Sequence, residues 1–171
     1  TSSIYNQAEG KAGNILVNTE TLLFNGGSQL TTTTSGKGDA GNITINARDS
    51  IKLDGIVPYE MYGISSFARS SIQSDVIVGG IGNAGNLQIN TGSLQLTNGA
   101  KISSDTNGRG NAGNIIINTR GTITLNGFGK VFTEQYGEIN LPSNISSDVS
   151  IEGIGKGGNI NINARELFLK N

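Results

Sequence analysis

Apolar and polar residues alternate in five short segments, each of which follows a Gly-Asn pair. The apolar positions of these segments are Ile15 and Val17, Ile43 and Ile45, Leu87 and Ile89, Ile115 and Ile117, and Ile160 and Ile162. A second alternating segment begins shortly after each one, with apolar pairs at Leu22 and Phe24, Ile51 and Leu53, Leu94 and Leu96, Ile123 and Leu125, and Leu167 and Leu169. A period of two residues is typical of a β-strand with one buried face. The pattern therefore predicts two strands in every copy and no helix.

The segments belong to a longer phrase, Gly-x-Ala-Gly-Asn, which occurs five times, with Gly in place of Ala in the last copy. The copies begin at Gly10, Gly38, Gly82, Gly110 and Gly155, so that their starts are 28, 44, 28 and 45 residues apart. The 28-residue units carry a third short segment, at Ser28 and Leu30 and again at Ala100 and Ile102. Repeats of this size indicate stacked structural units.

Two architectures can use such a unit. If Asn25-Gly26 and Asn98-Gly99 form tight hairpin turns, the chain is an antiparallel meander or a propeller. If each unit is instead one coil, equivalent strands stack in parallel as a β-helix. A propeller blade needs four strands and about 40 residues, whereas the basic unit here has three strands in 28 residues. We therefore predict an all-β fold: one parallel β-helix segment over residues 1–171, with about five coils and three short strands per coil.

In a β-helix, equivalent residues of neighbouring coils lie about 4.8 Å apart. Stacked amides at this spacing can hydrogen-bond along the stack, and Asn and Gly both tolerate the left-handed backbone of a sharp corner. We therefore predict a structural role for two asparagine lanes. They consist of Asn14, Asn42, Asn86, Asn114 and Asn159, and of Asn18, Asn46, Asn90, Asn118 and Asn163.

Two insertions, residues 56–71 and 128–144, lengthen the second and fourth units. They hold both prolines, the only methionine and six of the nine aromatic residues. Loops on a rigid scaffold often carry specificity, and these loops are expected about 10 Å apart on one side of the stack. The candidate residues for binding a glycan or a protein partner are Tyr59, Glu60, Tyr62, Phe67, Phe132, Glu134 and Tyr136. The alternative is that Tyr62 and Tyr136 fold back and only cover the coil.

Composition argues against several classes of function. The net charge is −1, from 12 basic and 13 acidic residues, which gives no electrostatic footprint for nucleic acid. Without Cys or His, the chain lacks thiolate ligands and the commonest general base. We expect no cofactor, no metal site and no catalytic residues. Asp75 and Asp148 occupy matching positions, where we expect them to cap turns.

The chain contains the motif G-N-A-G-N-I-x-I-N, the segments Arg48 to Gly55 and Thr91 to Ala100, and the I-S-S element. These motifs resemble the repeat region of filamentous-haemagglutinin-like exoproteins. More narrowly, they are similar to large cyanobacterial proteins labelled S-layer family or haemagglutination-activity-domain proteins. The resemblance implies a right-handed parallel β-helix and two-partner secretion through an outer-membrane partner. It further implies a role in adhesion or the extracellular matrix.

These observations predict a structural and adhesive segment, a rigid rod that displays loops at the cell surface. Both ends of the chain fall inside the repeat, so we expect a piece of a longer protein. A self-assembling extracellular filament or surface-layer subunit, associating end to end through open strand edges, is the alternative. A polysaccharide-active enzyme is less favoured, because the strand positions are mostly Ile, Thr, Asn and Gln.

Overall fold

The computed structural model describes residues 1–5, 8–61, 64–133 and 137–170, and within these ranges the protein is all-β, without a helix. No helix of the described ranges could therefore span a membrane. The strands are β1 (Ser2–Ile4), β2 (Ile15–Phe24), β3 (Gln29–Thr34), β4 (Ile43–Asp54), β5 (Ile56–Met61), β6 (Ile64–Arg69), β7 (Ser71–Val76), β8 (Leu87–Thr97), β9 (Lys101–Ser103), β10 (Ile115–Thr119), β11 (Thr122–Asn126), β12 (Phe128–Thr133), β13 (Gly137–Pro142), β14 (Asn144–Ser146), β15 (Ile160–Asn163) and β16 (Glu166–Lys170).

The first and second alternating segments of all five units form one parallel sheet. In it β2 pairs with β4 and β4 with β8, while β10 and β11 lie between β8 and the last pair, β15 and β16. The register joins equivalent residues, since the partners run Ile15, Ile43, Leu87, Ile115 and Ile160. The prediction of parallel, in-register pairing is confirmed, and the antiparallel meander is wrong for this sheet.

A second parallel sheet contains the third segments, in the order β1, β3, β7, β9 and β14. Its register aligns Leu30 with Ile72, Ile72 with Ile102 and Ile102 with Ile145. Apolar residues of both sheets join in one buried cluster. Stacking of equivalent side chains thus produces a continuous core, an arrangement that is compatible with a β-helix.

The first and second segments were predicted as separate strands, but in the first three units each pair forms one long strand. The register shifts between Thr19 and Thr21 and between Ala47 and Ser50. One extra residue separates the two segments in the second unit, and a β-bulge absorbs it without breaking the strand. In the fourth and fifth units the segments remain separate, as β10 and β11 and as β15 and β16.

Both insertions are β-hairpins rather than irregular loops. Strand β5 pairs antiparallel with β6, and β12 pairs antiparallel with β13. Each hairpin begins directly after a glycine with positive φ, Gly55 at 88° and Gly127 at 70°. Positive φ is readily adopted by glycine, so these two residues turn the chain out of the stack. Each hairpin then returns the chain to the second sheet, at β7 and at β14.

Candidate functional site

The predicted binding residues lie on the two hairpins, to the extent that the structure describes them. On the first hairpin Tyr59 is 41% exposed, Glu60 is also exposed and Phe67 is half-buried. On the second hairpin Phe132 is 69% exposed. Tyr62, Glu134 and Tyr136 lie outside the described residues, and so does the prediction that the two tyrosines cover the stack.

The two hairpins pack against each other, as expected for insertions on one side of the stack. The side chain of Ile56 lies beside Gly129 and Gly99, at positions where a Cβ atom would collide with it. Val131 is buried and Gly129 lies on the same face of the second hairpin. Ile56 can therefore approach closely because the opposing residues have no side chain.

Arg69 joins the first hairpin to the second. Its Nε donates to the carbonyl of Gly99 at 2.6 Å, and its Nη2 donates to the carbonyl of Pro142 at 2.6 Å and to Oδ1 of Asn144 at 3.0 Å. Desolvation lowers the pKa of this guanidinium from its usual value, yet the group remains a cation because an arginine pKa is so high. Charge-assisted bonds of this kind fix the position of both hairpin bases.

The exposed aromatic residues that the structure describes on the hairpins do not converge on one surface. Tyr59 and Val57 share a face with Ala68, and Ala68 lies against Gly27 of the first unit. Phe128 and Phe132 alternate with the buried Gly129 and Val131, so they point away from the first hairpin. The single surface predicted from both insertions is therefore divided into two, on opposite faces of the hairpin pair.

The outer face of the second hairpin exposes both aromatic and polar residues. Phe128, Lys130 and Phe132 lie on β12, and their partners Pro142, Asn140 and Glu138 lie opposite on β13. All six residues are exposed, and the Lys130 Nζ is 2.8 Å from Oε1 of Glu138. Two phenyl rings thus lie beside Asn140 and the Lys130–Glu138 ion pair, whose net charge is zero.

A polar cavity of about 590 Å³ lies at the foot of the same hairpin. Asn144, two residues after Pro142, lines it together with Arg69, Lys101, Ser146 and Asp148. It offers hydrogen-bond donors and acceptors, and its four charged residues are the cations Arg69 and Lys101 and the anions Asp105 and Asp148.

The aspartates Asp75 and Asp148 belong to a lane that also contains Asp105, which the sequence analysis missed. Oδ1 of Asp75 accepts the backbone N–H of Asp105 at 2.8 Å, and Oδ1 of Asp105 accepts that of Asp148 at 2.9 Å. The expectation of turn caps is therefore replaced by links between neighbouring units. The signal for this lane in the sequence was the motif Ile-x-Ser-Asp, which begins in β7, in β9 and in β14.

Asp75 is the most deeply buried member of this aspartate lane. Burial raises the pKa of its carboxyl, while the charge of Lys101, the bond from Asp105 and the hydroxyl of Ser103 act in the opposite direction. Lys101 Nζ itself lies 2.8 Å from Oδ2 of Asp105. These carboxylates hold backbone and side-chain donors, and no cluster of metal-ligating residues occurs in the described ranges.

The two asparagine lanes make different bonds. In the first lane, each Oδ1 accepts the backbone N–H of the next asparagine, as from Asn42 to Asn14 at 2.8 Å and from Asn159 to Asn114 at 3.0 Å. In the second lane, the amides bond to each other, as from Asn46 Nδ2 to Asn18 Oδ1 at 2.8 Å. The same amide bonds continue to Asn90, Asn118 and Asn163.

Left-handed backbone is not the reason for asparagine at these positions. Among the described non-glycine residues only Asn98 has positive φ, at 53°. Glycine is required instead, because a Cβ on Gly82 or Gly110 would overlap the carbonyl of the matching glycine in the preceding unit.

A lane of buried hydroxyls inside the stack was also missed. Ser104 Oγ donates to the carbonyl of Gly85 at 2.6 Å and accepts the N–H of Gly113 at 3.0 Å. Ser74 and Ser147 make equivalent bonds: each donates to the carbonyl of a glycine in its own unit, Gly41 or Gly113, and accepts the N–H of a glycine in the next unit, Gly85 or Gly158. The hydroxyls join the second sheet to the glycine corner, and the Ser of Ile-x-Ser was the signal for them.

We compared the chain with protein-family models, with curated proteins and with solved structures, and none of the three comparisons gives a match.

Proposed function

We propose that this chain is a segment of a right-handed parallel β-helix that acts as a structural and adhesive rod outside the cell. One observation carries the proposal: all five copies of the phrase pair in parallel and in register. An architecture in which every unit repeats the contacts of the last extends along one axis. The motifs that resemble filamentous-haemagglutinin-like exoproteins support the handedness and the extracellular location.

The rod proposal is tested by small-angle X-ray scattering on two proteins. One is the 171-residue chain, and the other carries a second copy of residues 38–109 inserted after position 109. Each added unit should lengthen a β-helix by about 4.8 Å, so the two added units should raise the maximum dimension by roughly 10 Å at constant cross-section. An increase in cross-section without added length would contradict a rod.

We further propose that the parent protein is secreted with an outer-membrane partner and contacts a surface glycan or a matrix protein. The resemblance to two-partner exoproteins supports this part. Antibodies against residues 1–171 should label intact cells, and protease added outside should remove the signal. Labelling that requires permeabilised cells would contradict an extracellular role.

We propose no catalytic role for the chain. Asp75 and Asp105, the strongest candidates for an acid pair, are occupied by backbone N–H groups and by Ser and Lys side chains. The purified protein should release no reducing ends or unsaturated products from pectin or alginate. Turnover that one carboxylate substitution abolishes would contradict the proposal.

A further inference from the structure

We infer that the outer face of the second hairpin binds a neutral oligosaccharide chain, an inference that rests on the proposed adhesive function and assigns it to one surface. The face consists of Phe128, Lys130 and Phe132, with Pro142, Asn140 and Glu138 opposite them. Phenyl rings offer flat apolar contact to the C–H face of a sugar, and polar groups beside them hydrogen-bond its hydroxyls.

The dimensions of the face suit an extended chain. Phe128 and Phe132 are four positions apart on one strand, which places them roughly 13 Å apart at about 3.3 Å per residue. Phe132 is 69% exposed and Phe128 is 41% exposed, so both rings are accessible. Between them lie Lys130 and the amide of Asn140, and Glu138, the ion-pair partner of Lys130, stands opposite Phe132. A ring at each end and hydrogen-bonding groups in the middle form a linear binding strip.

The charge of the strip favours a neutral ligand. Lys130 and Glu138 neutralise each other at 2.8 Å, so the strip offers no net cation for an acidic sugar. The cavity at the foot of the hairpin is similarly balanced, because Arg69 and Lys101 are offset by Asp105 and Asp148.

The contact between the hairpins argues against another hairpin as the occupant. Ile56 and Phe128 hold equivalent positions, each directly after a glycine with positive φ. Ile56 packs closely because Gly129 and Gly99 leave room for it. Phe128 is a larger side chain than the isoleucine that fits against Gly129 and Gly99. The outer face therefore carries an aromatic ring at the position where the packed face carries Ile56.

The test is a titration of the 171-residue protein, monitored by NMR chemical-shift changes. The neutral sugars are cellohexaose, chitohexaose and maltohexaose, and hexagalacturonate is the acidic comparison. The variants are Phe132→Ala and Phe128→Ala. Tyr59→Ala is the matched control, since Tyr59 is an exposed aromatic residue on the opposite face of the hairpin pair. Circular dichroism and scattering verify that each variant keeps the fold and the rod dimensions.

We expect at least one neutral hexasaccharide to bind, with affinity reduced at least tenfold in Phe132→Ala, unchanged in Tyr59→Ala and insensitive to salt. Three results would overturn the inference: no neutral binding, binding that Phe132→Ala leaves intact, or preference for hexagalacturonate that salt weakens. Concentration-dependent dimers that Phe132→Ala abolishes would also overturn it and assign the face to self-association. Scattering measures the rod dimensions independently of sugar binding. A protein that keeps the rod dimensions but binds no sugar therefore contradicts only this inference and not the proposed rod.

Discussion

Gly157 and Gly158, two adjacent glycines in the last copy of the phrase, differ in whether a side chain could replace them. Gly157 stands where the other four copies have Ala, and a Cβ there would meet only ordinary contact with the carbonyl of Ser147. A Cβ on Gly158 would overlap the carbonyl of Gly113 and the hydroxyl of Ser147. The first glycine is therefore replaceable, whereas the second is imposed by the closeness of two backbones.

We predict that Gly157→Ala is neutral or stabilises the protein by about 0.4–1 kcal/mol, because it restricts the unfolded chain without strain. Gly158→Ala should destabilise it by about 1–3 kcal/mol through overpacking. Urea denaturation midpoints of the two variants provide the measurement. Equal midpoints would mean that the backbones can separate at low cost.

The adjacent residues Asn114 and Ile115 allow the contribution of an asparagine lane to stability to be compared with that of the core. Ile115 is 0% exposed, so Ile115→Asp buries a carboxylate in the apolar cluster and should cost about 3 kcal/mol or more. Asn114→Ala removes the acceptor for the N–H of Asn159 and should cost about 1 kcal/mol. The ranking is wrong if denaturant midpoints show Asn114→Ala to be the more damaging change.

Asp75 gives the protein a pH dependence whose sign follows from burial. Burial raises its pKa above that of the unfolded chain, near 3.9, so the folded state holds the proton more tightly. Its stabilising contribution is complete below about pH 3.9 and is lost as pH rises through the raised value. Asp75→Asn should therefore flatten the fall in unfolding free energy above roughly pH 4.

Urea melts at intervals from pH 4 to 7 measure this effect. Asp148→Asn, at the exposed end of the same aspartate lane, is the control for loss of one carboxylate. An unchanged slope in Asp75→Asn would mean that other groups determine the pH dependence.

At the scale of strands, alternation was sufficient to predict the strands, because a buried face imposes a period of two whatever the exact residues, and the 28-residue unit length favoured parallel pairing. The inner hydroxyl lane was not predictable in the same way. Ser104 is 0% exposed, but serine usually occupies surfaces, and only its bonds to Gly85 and Gly113 explain its burial. The pairing of the insertions was missed because their composition resembled loops.

The aromatic content of the insertions was visible in the sequence, but its division between two faces was not. That division depends on which neighbour each face meets, as Ile56 meets Gly129 and Ala68 meets Gly27. These contacts join residues from different units, so local pattern alone could not determine them. Tyr59, Glu60, Phe67 and Phe132 lie on the hairpins, but Tyr59 and Phe132 do not share a surface.

Arg69 should determine whether the two hairpins move together. Arg69→Gln leaves the carbonyls of Gly99 and Pro142 without their charged donor, and we expect faster hydrogen exchange in both hairpins. The exchange of β4 and β8 should remain slow. Lys130→Gln is the control, because its ion pair with Glu138 is exposed and such pairs contribute little. Equal exchange in the two variants would show that apolar packing alone docks the hairpins.

For the whole molecule, the repeating unit consists of one short unit and one long unit together. The phrase at Gly38 recurs at Gly110 after 72 residues, and the one at Gly82 recurs at Gly155 after 73. In both sheets the first unit pairs with the second as the third pairs with the fourth. A chain that lacks residues 38–109 would therefore bring Asn14 against Asn114 with the same register and bonds.

We predict that this shortened chain folds cooperatively, with a lower free energy of unfolding and a smaller urea m-value, because fewer unit interfaces remain. The control is a chain that lacks residues 38–97, which is not a whole repeat and places two third strands in succession. Circular dichroism and urea denaturation compare the two. If stability came from contacts specific to particular units, the first deletion would unfold as completely as the second. If each interface contributes separately, only the control loses its transition, because only there do the buried positions of one unit meet the wrong residues of the next.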